Sequence, residues 1–355
     1  MPNINNAPFN ALPVGIGPFR YAAWRRGDQI ELERNPFYWR GQAKLDRVIM
    51  KLIPDRNTVL TQLQTGELDM WYPFGGSYLS RVAAIPNVHI IRQPSYGINE
   101  VLFNVKGPVL SDRAVREALR YAVDRRLLRE KVGHGVGILQ NVPVTTVDPS
   151  TPKDIAFTPF DLTKANAVLD AAGWKRGADG VRVKNGTRLS VEFVSSSGTP
   201  DADTSIELIR TWWNQIGAQI DVRRFQSEML FGPYSNGGIL ANGRFDMMFL
   251  GYTVPAPFDV NLQYGCHEFP PAGQNYSHYC NGRFNAIAND YDRTYDEGRR
   301  DKLLSQALHI IDDDVVLIVT TGREDLFGVN NAVKHFTPNS ATPFDDMLGV
   351  DVTNS

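Results

Sequence analysis

Residues 24–39 read WRRGDQIELERNPFYW, and the way the chain turns inside this stretch decides the fold class. To its left runs GPFRYAAW (17–24); to its right Ile30 and Leu32 alternate with Gln29, Glu31 and Glu33. Period-two patterning on either side of a Gly-Asp pair predicts a β-hairpin with one wet face. Arg26-Gly27-Asp28 is then the turn and not an adhesion signal, with Gly27 supplying the permissive backbone. Asn35-Pro36 stops the second strand, because proline cannot donate to the ladder and restricts the residue before it. Phe37, Tyr38 and Trp39 are expected to pack as a corner beyond it.

Outward from the hairpin the pattern changes period. Val48 to Ile53 predicts a strand, and DRNTVLTQLQTGELDM (55–70) a helix. Asp55 or Asn57 caps that helix, Val59, Leu60 and Leu63 share a face, and Gly66 ends it. ELDMWY returns as a strand. Strand, helix and strand in so short a span is α/β layering.

Two strands are expected in VHIIRQPSYGINEVLFNV (88–105), then a helix capped by Ser111 with Val115, Leu119, Ala122 and Val123 at helical spacing. Residues 133–160 read as a long irregular passage. Its GHGVG lacks the spacing and preceding strand of a dinucleotide cradle. A helix over 161–172 starts at Asp161 and ends at Gly173-Trp174. GVRVKNGTRLSVEFV is a second hairpin, and burial of Val181 opposite Leu189 favours a three-residue loop with Gly186 left-handed. Helices follow over 203–216, 226–231, 283–294 and 297–313. FDMMFLGY and VVLIVTT are apolar enough for buried strands, and 323–355 reads as short strands and loops.

The 355 residues are 42% apolar and 21% charged, with a formal charge of −2. That supports large cores and two domains, and it leaves no electrostatic footprint for nucleic acid. The start, MPNINNAPFNALPVGIGPF, has neither the basic nor the apolar region of a signal peptide.

Cys266 and Cys280 are the two cysteines, with 13 residues between them in a Gly/Pro/Asn-rich loop. With His267 and His278 they form a candidate zinc set, but adjacent ligands at both ends fit a tetrahedron poorly. A disulfide closing the loop is the favoured reading. It would be worth about 3 kcal/mol and implies an oxidising compartment. No catalytic motif stands out. The six histidines are scattered, and Asp312-Asp313-Asp314 is expected as a solvated helix end, unfavourable for the dipole. No cofactor or metal is called. Rings at strand ends ahead of Gly/Pro loops are the better candidates for a ligand cleft: Trp71, Tyr72 and Phe74, and Tyr252 and Phe258.

Four ordered motifs carry a resemblance. GIGPFRYAAWRRGDQIELERNPFYWRG, KLDRVIMKLIPDRNTVLTQLQTGELDM, LFNVKGPVLSDRAVREALRYAVDRRLL and FDLTKANAVLDAAGW together resemble the extracellular solute-binding proteins of family 5. These are the peptide-, nickel- and oligosaccharide-binding subunits of ABC importers. The resemblance implies a bilobal, type II periplasmic-binding-protein fold with an incomplete lobe I at 1–105 and 322–355, and lobe II at 106–321. It implies a periplasmic or extracellular, membrane-associated protein that traps a small molecule or peptide between lobes and delivers it to the permease transmembrane subunits. Exposed lobe I surface would invite dimerisation. Peptide-binding relatives place an aspartate soon after an aromatic strand to hold the ligand's amine; here LGYTVPAPFD offers none before Asp259. That favours a sugar, a modified peptide or another polar solute, with Asn104 offering its amide at the cleft edge or acting as a structural cap. The alternatives are a hydrolase using Asp259 or Glu228 with a water, and a sensor or scaffold that no longer transports.

Overall fold

The computed structural model describes residues 12–148, 150–255 and 257–353. The start of the chain, read above for a leader, lies mostly outside them. The chain divides into two units: one runs to Gln93 and resumes at Asp325, and the other is Pro94–Glu324.

In the first unit β1 (Phe19–Arg25), β2 (Gln29–Arg34) and β3 (Arg47–Lys51) form an antiparallel sheet. Arg25 pairs with Gln29, so Arg26, Gly27 and Asp28 are the whole turn. The Asp28 N–H bonds the Arg25 carbonyl at 3.0 Å, and Gly27 has φ +78°, the left-handed value glycine adopts without cost. Asn35 ends the strand as expected, its Oδ1 accepting from the Phe37 N–H at 3.1 Å.

Two readings change here. Gln29 is the buried residue of β2, bonded to Glu31 Oε1 at 2.7 Å, so the polar face is not wet throughout. Two of the three rings after Pro36 do not pack into a core: Phe37 is 84% and Trp39 81% exposed. The corner is closed instead by backbone bonds, Tyr38 N–H to Asn35 O and Gly41 N–H to Tyr38 O. Helix α1 (Arg56–Thr65) is capped by Asp55, which accepts from the Thr58 N–H at 2.7 Å, and it ends at left-handed Gly66. β4 (Met70–Trp71) and α2 (Leu79–Ala83) follow.

β5 (Val88–Phe103) is one strand of 16 residues where two were expected. Pro94 removes a single donor, and the extended backbone runs through it.

The second unit begins with α3 (Arg113–Tyr121) and α4 (Arg125–Lys131). The cap of α3 is Asp112, not Ser111, and the expected continuous helix breaks at Ala122-Val123 because Asp124 caps a new one. α5 (Leu162–Ala171) is capped by Asp161. Then come β6 (Lys175–Arg176), β7 (Arg182–Lys184) and β8 (Thr187–Arg188). The β7–β8 register overturns the three-residue loop. Lys184 pairs with Thr187, leaving Asn185 and Gly186 as a two-residue turn with φ +50° and +81°, the arrangement Asn-Gly favours. The inward position belongs to Arg182 and not to Val181. Its guanidinium is buried on the Ile216 carbonyl (2.8 Å), Asp170 (2.6 Å) and Asn166 (2.8 Å).

β9 (Ser190–Ser196), α6 (Pro200–Gln215) and β10 (Gln219–Phe225) make a parallel βαβ unit. After α7 (Ser227–Leu230), β11 (Met247–Thr253) lies parallel to β9 and antiparallel to β5. α8 (Val260–Tyr264), α9 (Gly282–Asp292) and α10 (Glu297–Asp314) lead to β12 (Leu317–Asn330), a strand that continues past 322 where only short pieces were expected. β13 (Val333–Lys334) and β14 (Asp351–Val352) close the chain in the first unit.

The sheet order is β10-β9-β11-β5-β12-β4. In the second unit both its faces are covered, as parallel sheets require. Ile98, Leu102, Met248 and Leu250 enter one core with α8, α9 and α10. Val101, Phe103, Met247 and Phe249 enter the other with α3, α5 and α6.

The acidic end of α10 is only partly solvated: Asp313 is exposed, but the terminal carbonyls are covered. Arg113, Arg116 and Arg120 project from successive turns of α3 onto the carbonyls of Asp313, Asp314 and Asp312, at 2.5, 2.5 and 2.9 Å. Cations at a helix C-terminus complement both the dipole and the orphan carbonyls. Asp314 in turn accepts from the Tyr279 hydroxyl at 2.5 Å.

Candidate functional site: an aromatic cavity with a buried carboxyl

On the α8–α10 side of the second unit's sheet lies a cavity of about 290 Å³, near the lower end of the range for small-molecule sites. Its floor is β5 and β11. Leu250 pairs with Glu100, Tyr252 with Ile98 and Met248 with Leu102, so these six side chains share one face. Five of them are apolar or aromatic. Glu100 is the sixth, and it is 5% exposed.

The walls come from elsewhere in the chain. Phe258 precedes α8, Tyr264 ends it, and Gln274 and Tyr276 belong to the loop between α8 and α9. That loop is held by the disulfide Cys266–Cys280, which carries out the favoured reading of the cysteine pair. Among the described residues no cluster of His, Cys, Asp and Glu could hold a metal ion. Asn275 fills the loop's interior. Its Nδ2 donates to the carbonyls of Gly265 (2.9 Å) and Tyr279 (2.7 Å), and its Oδ1 accepts from the Ser277 hydroxyl (2.8 Å). A loop pinned in this way presents Tyr276 and Gln274 in fixed positions.

The polar groups in the cavity are few and convergent. Gln263 donates from Nε2 to the Tyr252 hydroxyl at 2.6 Å and to Gln274 Oε1 at 2.7 Å. Burial pushes the Tyr252 phenol up to about 12, with the nearby Glu100 carboxyl adding to it. Burial likewise raises Tyr264, again with Glu100 contributing. Glu100 itself is pushed up to about 8 by burial. No donor among the described residues hydrogen-bonds its carboxyl.

Of the residues singled out from the sequence, Tyr252 and Phe258 line this cavity. Asp259 does not; it caps α8 by accepting from the Leu262 N–H at 2.9 Å. Asn104 is a structural cap. Its Nδ2 donates to the carbonyls of Gly243 and Phe245, both at 3.1 Å, and its Oδ1 accepts from the Lys106 N–H.

Trp71, Tyr72 and Phe74 belong to the first unit. Trp71 and Phe74 are core residues with ring centroids 5.4 Å apart. Tyr72 stacks on Phe327 at 4.2 Å and donates to Asp325 at 3.1 Å; burial and that carboxylate push its phenol up to about 12. Glu228 sits in the first turn of α7. Glu100 was missed in the sequence. The available signal was an acid breaking the apolar alternation of Ile98 and Leu102.

The sequence profile of the bacterial extracellular solute-binding proteins, family 5 middle region, matches residues 2–266. The oligopeptide-binding protein AppA of Bacillus subtilis is 27% identical over 308 residues, covering 85% of this chain and 55% of AppA. Heme-binding protein A of Haemophilus influenzae is 25% identical over 350 residues, 96% of this chain and 60% of that protein. The chain thus spans little more than half the length of these relatives. Among solved structures, a putative peptide-binding protein AppA from Clostridium difficile superposes with a TM-score of 0.85 at 20% identity, covering 99% of this chain and 70% of that one. The fold is that of the type II periplasmic binding proteins.

Proposed function

The chain belongs to the bacterial extracellular solute-binding proteins of family 5, and from that premise we propose that it captures a small solute for an ABC importer. The two units are the two lobes of this reading, and the chain passes between them inside β5 and β12. Capture needs no covalent chemistry: a solute shifts the protein toward whichever conformation it binds more tightly.

The observation that carries the reading is the aromatic cavity of the second unit, with few polar groups and a rigid, disulfide-closed wall. Concave, mostly apolar sites with a few convergent polar groups are what small ligands use. The disulfide accords with a periplasmic or extracellular location, and the permease's transmembrane subunits are the partner to which the solute passes. The hydrolase alternative is not carried forward, because Asp259 is engaged as a helix cap and Glu228 is not among the residues that line the cavity.

The test is a thermal-shift screen of the protein against short peptides, oligosaccharides, nickel and haem, with turnover followed in parallel. One class should raise the melting temperature without being consumed. A solute held at 100 times its Kd stabilises by about 2.7 kcal/mol. No shift from any class, or consumption of the one that shifts, would overturn the reading.

A further inference from the structure

Glu100 has no structural task in the second unit. Elsewhere in this unit the buried arginines are held by several acceptors each: Arg125 donates to the carbonyls of Gln140 (3.0 Å) and Thr158 (2.7 Å), and Arg182 and Arg116 are similarly bonded. Glu100 sits between Ile98 and Leu102 on the core face of β5, where an apolar residue would satisfy the alternation. It receives no hydrogen bond among the described residues, and it opens onto the cavity. An unpaired buried carboxyl costs stability unless something returns the interaction.

We propose that Glu100 is the acidic anchor of this cavity and that the solute it receives carries a cationic group, an alkylguanidinium or alkylammonium. This deepens the solute-capture reading and rests on it. The surroundings fit such a group. Tyr252, Phe258, Tyr264 and Tyr276 line the cavity, and aromatic rings attract a desolvated cation. A guanidinium would also present more donors than the carboxylate can accept, and the Gln274 and Ser277 oxygens lie in the same lining. The site is distinct from Asp259, whose carboxylate is spent on the α8 backbone.

Charge balance follows from the same geometry. The titratable groups facing Glu100 are phenols: Tyr252 from β11, Tyr264 from α8 and Tyr276 from the disulfide loop. No basic side chain of the described residues acts on it; burial alone shifts it, up to about 8. In the empty cavity at pH 7 the carboxyl therefore holds its proton. A guanidinium cannot give one up, so its binding draws the proton off Glu100 into solvent.

Calorimetry of the whole chain tests this, titrating ethylguanidinium and its neutral isostere N-ethylurea into wild type and Glu100→Gln at pH 7. Each titration is run in two buffers of different ionisation enthalpy. Wild type should bind ethylguanidinium at least tenfold more tightly than N-ethylurea and release close to one proton on doing so. Glu100→Gln should abolish both the preference and the release, and a cooperative thermal melt of the variant shows that it folds.

A preference that survives in Glu100→Gln, or binding to wild type without proton release, overturns the proposal. So does failure of ethylguanidinium to bind wild type. In each case the thermal-shift screen decides the wider reading separately: a solute that shifts melting leaves solute capture standing without the cationic anchor, and none brings down both.

Discussion

Glu100 also shapes stability. Its folded-state carboxyl lies near 8 against an ordinary 4.5, so the folded protein binds more protons than the unfolded chain between those values. Stability therefore falls as pH rises through that window and levels off above it. The total is on the order of a few kcal/mol. Glu100→Gln should flatten the fall, and melting temperatures of both proteins at pH 5 and pH 8 will show it; equal slopes would mean the carboxyl is not buried as described. Trp39 gives the opposite residue-scale expectation. It is 81% exposed, so Trp39→Ser should change unfolding free energy by less than about 0.5 kcal/mol in a urea titration. The sequence reading of a packed corner would require several times that.

Among the elements, the end of α10 shows how a local signal can mislead. Three consecutive aspartates after an apolar helix read as a solvated end, because in isolation they oppose the helix dipole. In the fold, three arginines of α3, some 200 positions away in sequence, cover the same carbonyls. Arg116→Met should cost about 2–4 kcal/mol, since it strips buried carbonyls of their donors, and Arg116→Lys should rescue little because one ammonium cannot span the Asp314, Val315 and Leu110 oxygens. Chemical denaturation of both variants measures this. The β7–β8 turn makes the second case. Gly186 has φ +81° and open space where a Cβ would stand, so Gly186→Ala should cost about 1 kcal/mol through backbone strain alone.

For the whole molecule, the disulfide links stability to the candidate site. Cys266→Ser with Cys280→Ser should lower unfolding free energy by about 3 kcal/mol, and mild reductant should do the same to wild type. The loop that carries Gln274 and Tyr276 loses its closure, so solute affinity should fall further than the loss of global stability explains, as judged at a temperature where the variant remains folded. An unchanged affinity would assign the bridge to stability alone.

What the sequence by itself determined was local. The Arg-Gly-Asp turn, the Asp55 and Asp161 caps, the apolar face of α1 and the mixed α/β layering all depend on residues within a few positions of one another, and neighbouring residues carry those signals. The disulfide and two of the cavity residues, Tyr252 and Phe258, were legible in the same way. The tertiary structure decided the rest: the single long β5, the inward Arg182, the capped end of α10, and above all the placing of Glu100. Whether an acid is solvated or enclosed depends on what the chain brings against it, and the residues that line the cavity with Glu100 arrive mostly from positions 231–277. The alternation of Ile98 and Leu102 around Glu100 hints at burial, but no pattern within β5 encodes the cavity onto which it opens.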